Sequence, residues 1–120
     1  MKPTISLLSE TGDKIDVEIA SEIVRQARQL PYRHDAYFIL EHSTSTIPIA
    51  NLVWKRARPE GIKNAIDRMS RALQGTYPKR RPLKVELADN GGFLLVDGNS
   101  TALVALAAGW PDSPCEIAEK

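Results

Sequence analysis

The sequence is poor in the residues that form disulfides and metal sites. Its 120 residues include one cysteine, Cys115, and two histidines, His34 and His42. A single thiol cannot form an internal disulfide, so a cytoplasmic location is expected. The two histidines lie eight positions apart, in or beside loops, with no cysteine or carboxylate at the spacing typical of metal ligands. We therefore expect no metal site.

Long apolar runs and a leader-like start are also missing. The strongest apolar run, residues 102–108, is far too short to span a bilayer, so no contact with a membrane is expected. No apolar stretch follows a basic one near residue 1, so we expect no signal peptide. Hydrophobic residues make up 42% of the chain. This content suffices for one core and predicts a single domain over residues 1–120.

Charge is unevenly distributed, although the formal net charge is only +1. Residues 55–84 contain ten lysines and arginines and two acidic residues, whereas residues 1–54 and 85–120 are both net acidic. A basic middle segment favours an anionic partner. A solvated helix face followed by a basic loop would give the same pattern, and composition leaves both interpretations open.

Hydrophobic periodicity predicts both helices and strands in the first half of the chain. Residues 1–15 are expected to form a short strand or a loose arm. A helix is expected over residues 18–29, capped by Asp16 and stopped by Pro31. Further on, we expect a strand over residues 37–40, a break at 43–46, and a strand over 47–53 in which Pro48 requires an edge position or a strand start.

The second half of the chain has clearer patterns. A helix should begin at Pro59 and end at Gly75, because apolar residues recur at helical spacing between them. A strand at residues 83–87, a hairpin turn at 89–92 and a return strand at 93–96 should follow. The unbroken apolar run of the return strand predicts burial on both faces. An alanine-rich helix ending at Gly109 and a short strand at 114–117 complete the chain.

The stretch from Asp97 to Thr101 joins the return strand to the alanine-rich helix. Gly98 permits a tight turn, and the free N–H groups of Asn99, Ser100 and Thr101 would lie at the positive end of the helix dipole. Such helix starts bind anions, so residues 98–101 form a candidate phosphate site. Helix capping explains the same residue types. Asp97 is either a turn residue or a base or metal ligand beside a phosphate.

Basic side chains would complete this site if two helix starts meet on one sheet. Arg56, Arg58 and Lys63 flank Pro59, and the arginine fork matches phosphate oxygens. Without a ligand, the two arginines would face solvent. A separate candidate, for nucleic-acid contact, is the basic loop Lys79-Arg80-Arg81. Trp54 is either a core residue or a platform for a base.

The order of these motifs over residues 46–118 resembles the ParB/sulfiredoxin-like domain. The resemblance rests on Ile47-Pro48-Ile49, Arg58-Pro59, Arg81-Pro82-Leu83-Lys84-Val85, Val96-Asp97-Gly98-Asn99-Ser100-Thr101, the helix after it, and Pro114. It implies a small α+β fold, a mixed sheet with packed helices, that binds nucleotide phosphates at the start of the last helix. Residues 1–45 would be a helix-containing extension outside the resemblance.

The resemblance also implies a range of activities. Members of this family bind CTP and DNA, repair oxidised cysteine with ATP, or phosphorylate free serine. The implied ligand is a nucleotide, with Mg²⁺ bound largely through its phosphates, or another phosphorylated small molecule. Asp97 and Ser100 are the candidate catalytic residues for phosphoryl transfer or hydrolysis. The alternative is a module that binds nucleic acid or a protein partner without catalysis, and a homodimer is compatible with either.

The chain departs from the family pattern at the phosphate turn itself. Asn99 stands where sulfiredoxins have cysteine, and Cys115, in the closing strand, does not replace it. Ser100 and Thr101 stand where the family has histidine and arginine, so its strongest phosphate-binding side chain is missing. Either Arg56, Arg58 or Lys63 substitutes for it, or the pocket binds something else, or binding has been lost.

Overall fold

The computed structural model describes residues 3–89 and 91–118. Within them, the chain forms seven strands and four α-helices, which confirms the α+β class. In chain order these are β1 Thr4–Leu8, β2 Lys14–Glu18, α1 Ser21–Arg28, α2 His34–Tyr37, β3 Thr44–Pro48, β4 Leu52–Val53, α3 Ile62–Leu73, β5 Leu83–Leu87, β6 Phe93–Asp97, α4 Asn99–Ala108 and β7 Asp112–Ile117. Short 3₁₀ turns lie at Ile49–Asn51 and Pro59–Gly61.

The central sheet is mixed and has the strand order β3-β7-β5-β6-β4. Strand β7 is antiparallel to β3 and parallel to β5, while β6 is antiparallel to β5 and parallel to β4. The antiparallel pairing sets Asp97, at the end of β6, against Lys84, near the start of β5. The turn into α4 therefore lies beside the loop that leads from α3 into β5.

Helix α4 occupies the centre of the core. Its residues 101–105 are all buried, and both α1 and α3 pack against it. A helix covered on every side has no polar stripe, which explains its run of alanine, leucine and valine. Helix α3 is amphipathic as predicted, and its buried residues are Ile62, Ala65, Ile66, Met69 and Ala72. No helix in the described ranges has the length and apolar character needed to cross a bilayer.

The N-terminal residues share this core. Leu7, Val17 and Ala27 belong to the same cluster of buried side chains as residues of α3 and α4. The β1–β2 hairpin is attached to the central sheet at Trp54. The backbone N–H of Trp54 donates a hydrogen bond to Leu8 O at 2.8 Å. The Trp54 side chain is buried. Its indole therefore belongs to the core and offers no exposed face to a base.

The prediction of a helix over residues 18–29 is wrong at its start. Lys14–Glu18 forms a strand that pairs with β1, and α1 begins only at Ser21. Asp16 does not cap the helix, because its Oδ1 accepts a hydrogen bond from Ser6 Oγ at 2.7 Å across the hairpin. Pairing with the preceding strand outweighed the helical spacing of the local apolar residues.

Three predictions about the next segment are also wrong. Residues 37–40 do not form a strand, since Tyr37 ends α2 and Phe38 makes only an isolated bridge to Arg80. Residues 43–46 are not a break, because Thr44–Pro48 pairs along its length with β7. The strand expected at 47–53 is divided by a 3₁₀ turn. Pro48 does end an edge strand, as predicted.

Strand β6 is less covered than its apolar sequence predicts. Leu95 is buried and pairs with Val85 on the face that packs on the core. Val96 is exposed, and Lys84 in the neighbouring strand is exposed too. The prediction of burial on both faces is therefore wrong. The predicted α3, β5, α4 and β7 are confirmed, with boundaries shifted by a few residues.

Candidate functional site

The turn between β6 and α4 is fixed by a glycine and an aspartate. Gly98 has φ 97° and ψ 26°, a left-handed conformation that side chains disfavour. Asp97 Oδ1 accepts a hydrogen bond from the Gly98 N–H at 2.9 Å. No side chain of the described residues caps α4. The N–H groups of its first turn therefore have no partner from a capping side chain.

An open cleft of about 370 Å³ lies beside this helix start. Helix α3, the loop at residues 77–82 and the β6–α4 turn form its walls. Four basic residues and one acidic residue line it: Arg68, Lys79, Arg80, Arg81 and Asp97. Gly98 and Thr101 line the same cleft. The β6–α4 turn and the basic loop Lys79-Arg80-Arg81, predicted from the sequence as two separate candidate sites, therefore border one cleft.

Thr101 borders the cleft and carries a buried hydroxyl. The residue is only 2% exposed, and its Oγ1 has no hydrogen-bond partner. Across the described ranges, one other buried side-chain polar atom, His34 Nδ1, also lacks a hydrogen-bond partner. An unsatisfied buried polar group costs about 1–3 kcal/mol, so an acceptor or donor brought by a ligand would stabilise the site.

Arg80 is held at the cleft through its backbone. Its N–H donates to Tyr37 O and its carbonyl oxygen accepts from the Ile39 N–H, both at 2.8 Å. Burial lowers the pKa of the Arg80 guanidinium, and the positive charge of Arg68 lowers it further. Tyr77 and Asp97 oppose this shift. The protein alone therefore disfavours the charge on Arg80, and a bound anion would stabilise it.

Asn99 uses its side chain to join two segments of the protein. Its Oδ1 accepts a hydrogen bond from the Arg58 N–H at 2.9 Å, and its Nδ2 donates to Arg56 O at 2.7 Å. The carboxamide thus clamps residues 56–58 to the start of α4. The neighbouring Ser100 Oγ points at Gly61, where an added Cβ would collide with it. Of the three residues 99–101, Thr101 is the one that lines the cleft.

The remaining basic candidates lie elsewhere. Arg56 and Arg58 are exposed, and the described residues that line the cleft do not include them. Lys63 lines a different groove, between α1 and α3. Arg68 reaches the cleft from α3 although the sequence analysis did not select it. Arg68 lies five positions after Lys63, and this spacing on a helix places the two side chains on different faces.

Replacing Asn99 with alanine should destabilise the protein by about 1–2 kcal/mol, because both hydrogen bonds of the clamp are lost. Urea denaturation of the purified variant measures this difference. Asn99→Asp keeps the acceptor for the Arg58 N–H but lacks the donor, so its stability should be intermediate. Equal stability of Asn99→Ala and the wild type would show that the clamp contributes nothing.

Two other kinds of chemistry find little support in the described residues. No group of three or more histidine, cysteine, aspartate or glutamate residues among them could hold a metal ion. Cys115 is buried, and this burial raises the pKa of its thiol to about 12. A thiol that stays protonated at neutral pH is a poor nucleophile.

The chain matches no protein-family model, and no curated protein matches it in sequence. The physical properties of the cleft are therefore the basis for any assignment of function.

Proposed function

We propose that the protein binds a phosphate-bearing small molecule, most simply a nucleotide, in the cleft at the start of α4. The observation that carries this proposal is the buried, unpartnered hydroxyl of Thr101 beside an uncapped helix start. Uncapped N–H groups and the helix dipole attract an anion, and a hydroxyl can donate to one of its oxygens. Two guanidinium groups, Arg68 and Arg80, supply the charge.

The resemblance to the ParB/sulfiredoxin-like domain supports the same location. In that family the phosphate turn corresponds to residues 98–101. The arginine that the family carries in this turn is replaced here by Thr101. We propose that Arg68 and Arg80 compensate for it from the opposite wall, in place of Arg56, Arg58 and Lys63.

Asp97 would let the cleft accept a nucleotide together with Mg²⁺. Mg²⁺ in nucleotide sites is commonly held by one or two carboxylates and by the phosphates themselves. A single carboxylate in the cleft fits this pattern, and Mg²⁺ would neutralise its repulsion of the phosphates. Ser100 points at Gly61, so we assign it no part in catalysis. Binding is the extent of the proposed function.

A second candidate, binding of single-stranded nucleic acid, has one observation in its favour. Tyr77 lines the cleft at 39% exposure, next to the exposed Lys79 and Arg81. Aromatic stacking with nearby cations is how many proteins hold single strands. Such binding would weaken steeply with salt, since each phosphate contact releases counterions.

Isothermal titration calorimetry with inorganic phosphate, ADP, ATP and CTP, with and without Mg²⁺, tests the proposal. Thr101→Val removes the hydroxyl at nearly constant volume and should weaken binding by about 5- to 100-fold. The unliganded variant should be at least as stable as the wild type, because an unsatisfied buried group is gone.

Arg68→Ala and Lys63→Ala form a matched pair on one helix. The first should weaken binding and the second should not, since only Arg68 lines the cleft. Absence of binding at millimolar ligand, or equal losses for the two variants, would contradict the proposal. Tight binding of an oligonucleotide alone, with a steep salt dependence, would favour the second candidate.

A further inference from the structure

A second polar cluster lies outside the cleft, where α2 meets the start of β7. Asp112 Oδ1 accepts hydrogen bonds from the Tyr32 hydroxyl at 2.5 Å and from His34 Nε2–H at 2.7 Å. The side chains of His34 and Asp112 are only 15% and 26% exposed. The imidazole also contacts the Trp110 ring at a centroid distance of 5.8 Å. The cluster joins two segments that are far apart in sequence.

Helix α2 needs such external support. It has four residues, fewer than an isolated helix requires to be stable. One support is Tyr37, which stacks on Trp110 at 5.3 Å and donates its hydroxyl hydrogen to Pro31 O at 2.7 Å. The other is the His34–Asp112 pair at the first residue of the helix. Between them they fix both ends of α2.

The end of α2 is also the support of Arg80. The last residue of the helix provides Tyr37 O and the segment after it provides the Ile39 N–H, and the Arg80 backbone is hydrogen-bonded to both. A continuous series of contacts thus leads from Asp112 through His34 and α2 to Arg80. The neighbours of Arg80 in the loop, residues 76–79 and 81, are exposed, so these two backbone bonds are its main attachment.

The charge state of Asp112 strengthens its hydrogen bonds with Tyr32 and His34. Desolvation raises the pKa of Asp112, but the hydrogen bonds from Tyr32 and His34, with the charge of His34, outweigh it. The pKa therefore lies below the ordinary value of 3.8. The carboxylate is ionised at neutral pH and makes charge-assisted hydrogen bonds, which are stronger than neutral ones.

We infer that His34 and Asp112 are positioning residues: they form a latch that fixes α2, and thereby Arg80, and so control the affinity of the cleft for phosphate. The effect on affinity rests on the proposed function, whereas the ordering of Arg80 does not. Neither residue touches the cleft, so their removal would act on binding through Arg80 alone.

Amide hydrogen exchange of the Arg80 N–H tests the ordering directly. In Asp112→Ala, the protection of this amide should fall at least tenfold, while the amides of the β5–β6 ladder keep their protection. The control is Asp35→Ala, which removes an exposed aspartate of α2 that pairs with the exposed Arg33 at 3.5 Å. Unchanged Arg80 protection in Asp112→Ala, or an equal loss in Asp35→Ala, overturns the latch.

Titration with inorganic phosphate tests the effect on affinity. Asp112→Ala should raise the Kd at least fivefold in the wild-type background and leave it unchanged in an Arg80→Met background. Asp112→Asn, which still accepts a hydrogen bond, should restore part of the affinity. Equal losses in both backgrounds would show a general structural effect and refute the positioning role.

The two proposals fail in different ways. If wild-type protein does not bind phosphate but Asp112→Ala still loosens the Arg80 amide, the proposed function falls and the positioning of Arg80 stands. If wild-type protein binds phosphate and neither readout responds to Asp112→Ala, the proposed function stands and the latch is refuted.

Discussion

Arg80→Met should weaken phosphate binding by one to two powers of ten and leave the unliganded protein as stable as before, or more stable. A hydrogen bond to a charged group contributes about 1.5–3 kcal/mol, which sets the loss of affinity. Stability should not fall, because burial and the charge of Arg68 lower the pKa of Arg80 and so disfavour its charged form in the fold. The backbone bonds to residues 37 and 39 remain in the variant.

Calorimetric titration with phosphate and thermal unfolding of the same samples measure the two effects. Arg56→Met is the matched control, since Arg56 is exposed and lies outside the cleft. It should change neither quantity appreciably. A fall of the Tm in parallel with the loss of binding would instead make Arg80 a structural residue, and the cleft would lose its principal cation.

Gly98→Ala should lower the free energy of unfolding by about 2–5 kcal/mol. The left-handed backbone at Gly98 costs an alanine about 1–2 kcal/mol. In addition, the new Cβ would lie 2.6 Å from Leu83 Cδ2, and overpacking of this kind costs about 1–3 kcal/mol. Because Leu83 is buried at the start of β5, it has little room to move.

A substitution at Gly109, at the other end of α4, separates the cost of the left-handed backbone from the cost of overpacking. Its φ of 78° is also left-handed, but a Cβ there would meet no atom within 4 Å. Gly109→Ala should therefore lose only the backbone contribution, about 1–2 kcal/mol by urea denaturation. If the two variants lose the same stability, the contact with Leu83 is unimportant and the β6–α4 turn is less tightly packed than the structure indicates.

The sequence predicts those elements whose signals are local. Helix α3 follows from a stripe of apolar residues and the end at Gly75, and the β5–β6 hairpin follows from its glycine-containing turn. Strand β3 has no local signal, because its hydrogen-bond partner, β7, lies near the other end of the chain and supplies a stabilisation that no local window contains. Strand β2 pairs with the adjacent β1, and the helical spacing of the apolar residues obscures this hairpin. Thr44 and Ser45 carry no apolar signal, yet β7 pairs with both.

The position of the candidate site was predictable, but its composition was not. Gly98 and Thr101 follow from a strand–glycine–helix pattern that the sequence displays. Arg68 is on α3, and the direction of its side chain depends on how α3 packs against α4. The sequence predicts Arg80 as a contact for nucleic acid and not as part of the phosphate site. Its place in the cleft depends on two backbone hydrogen bonds to a segment about 40 residues earlier.

The clamp made by Asn99 limits what chemistry the start of α4 can acquire. A cysteine at position 99 would stand at a helix N-terminus, where the dipole favours the reactive thiolate. The same substitution would remove both hydrogen bonds that hold residues 56–58. Position 99 can therefore provide either a nucleophilic thiol or the two hydrogen bonds that hold residues 56–58. A change from asparagine to cysteine would require a second residue to hold these residues in place.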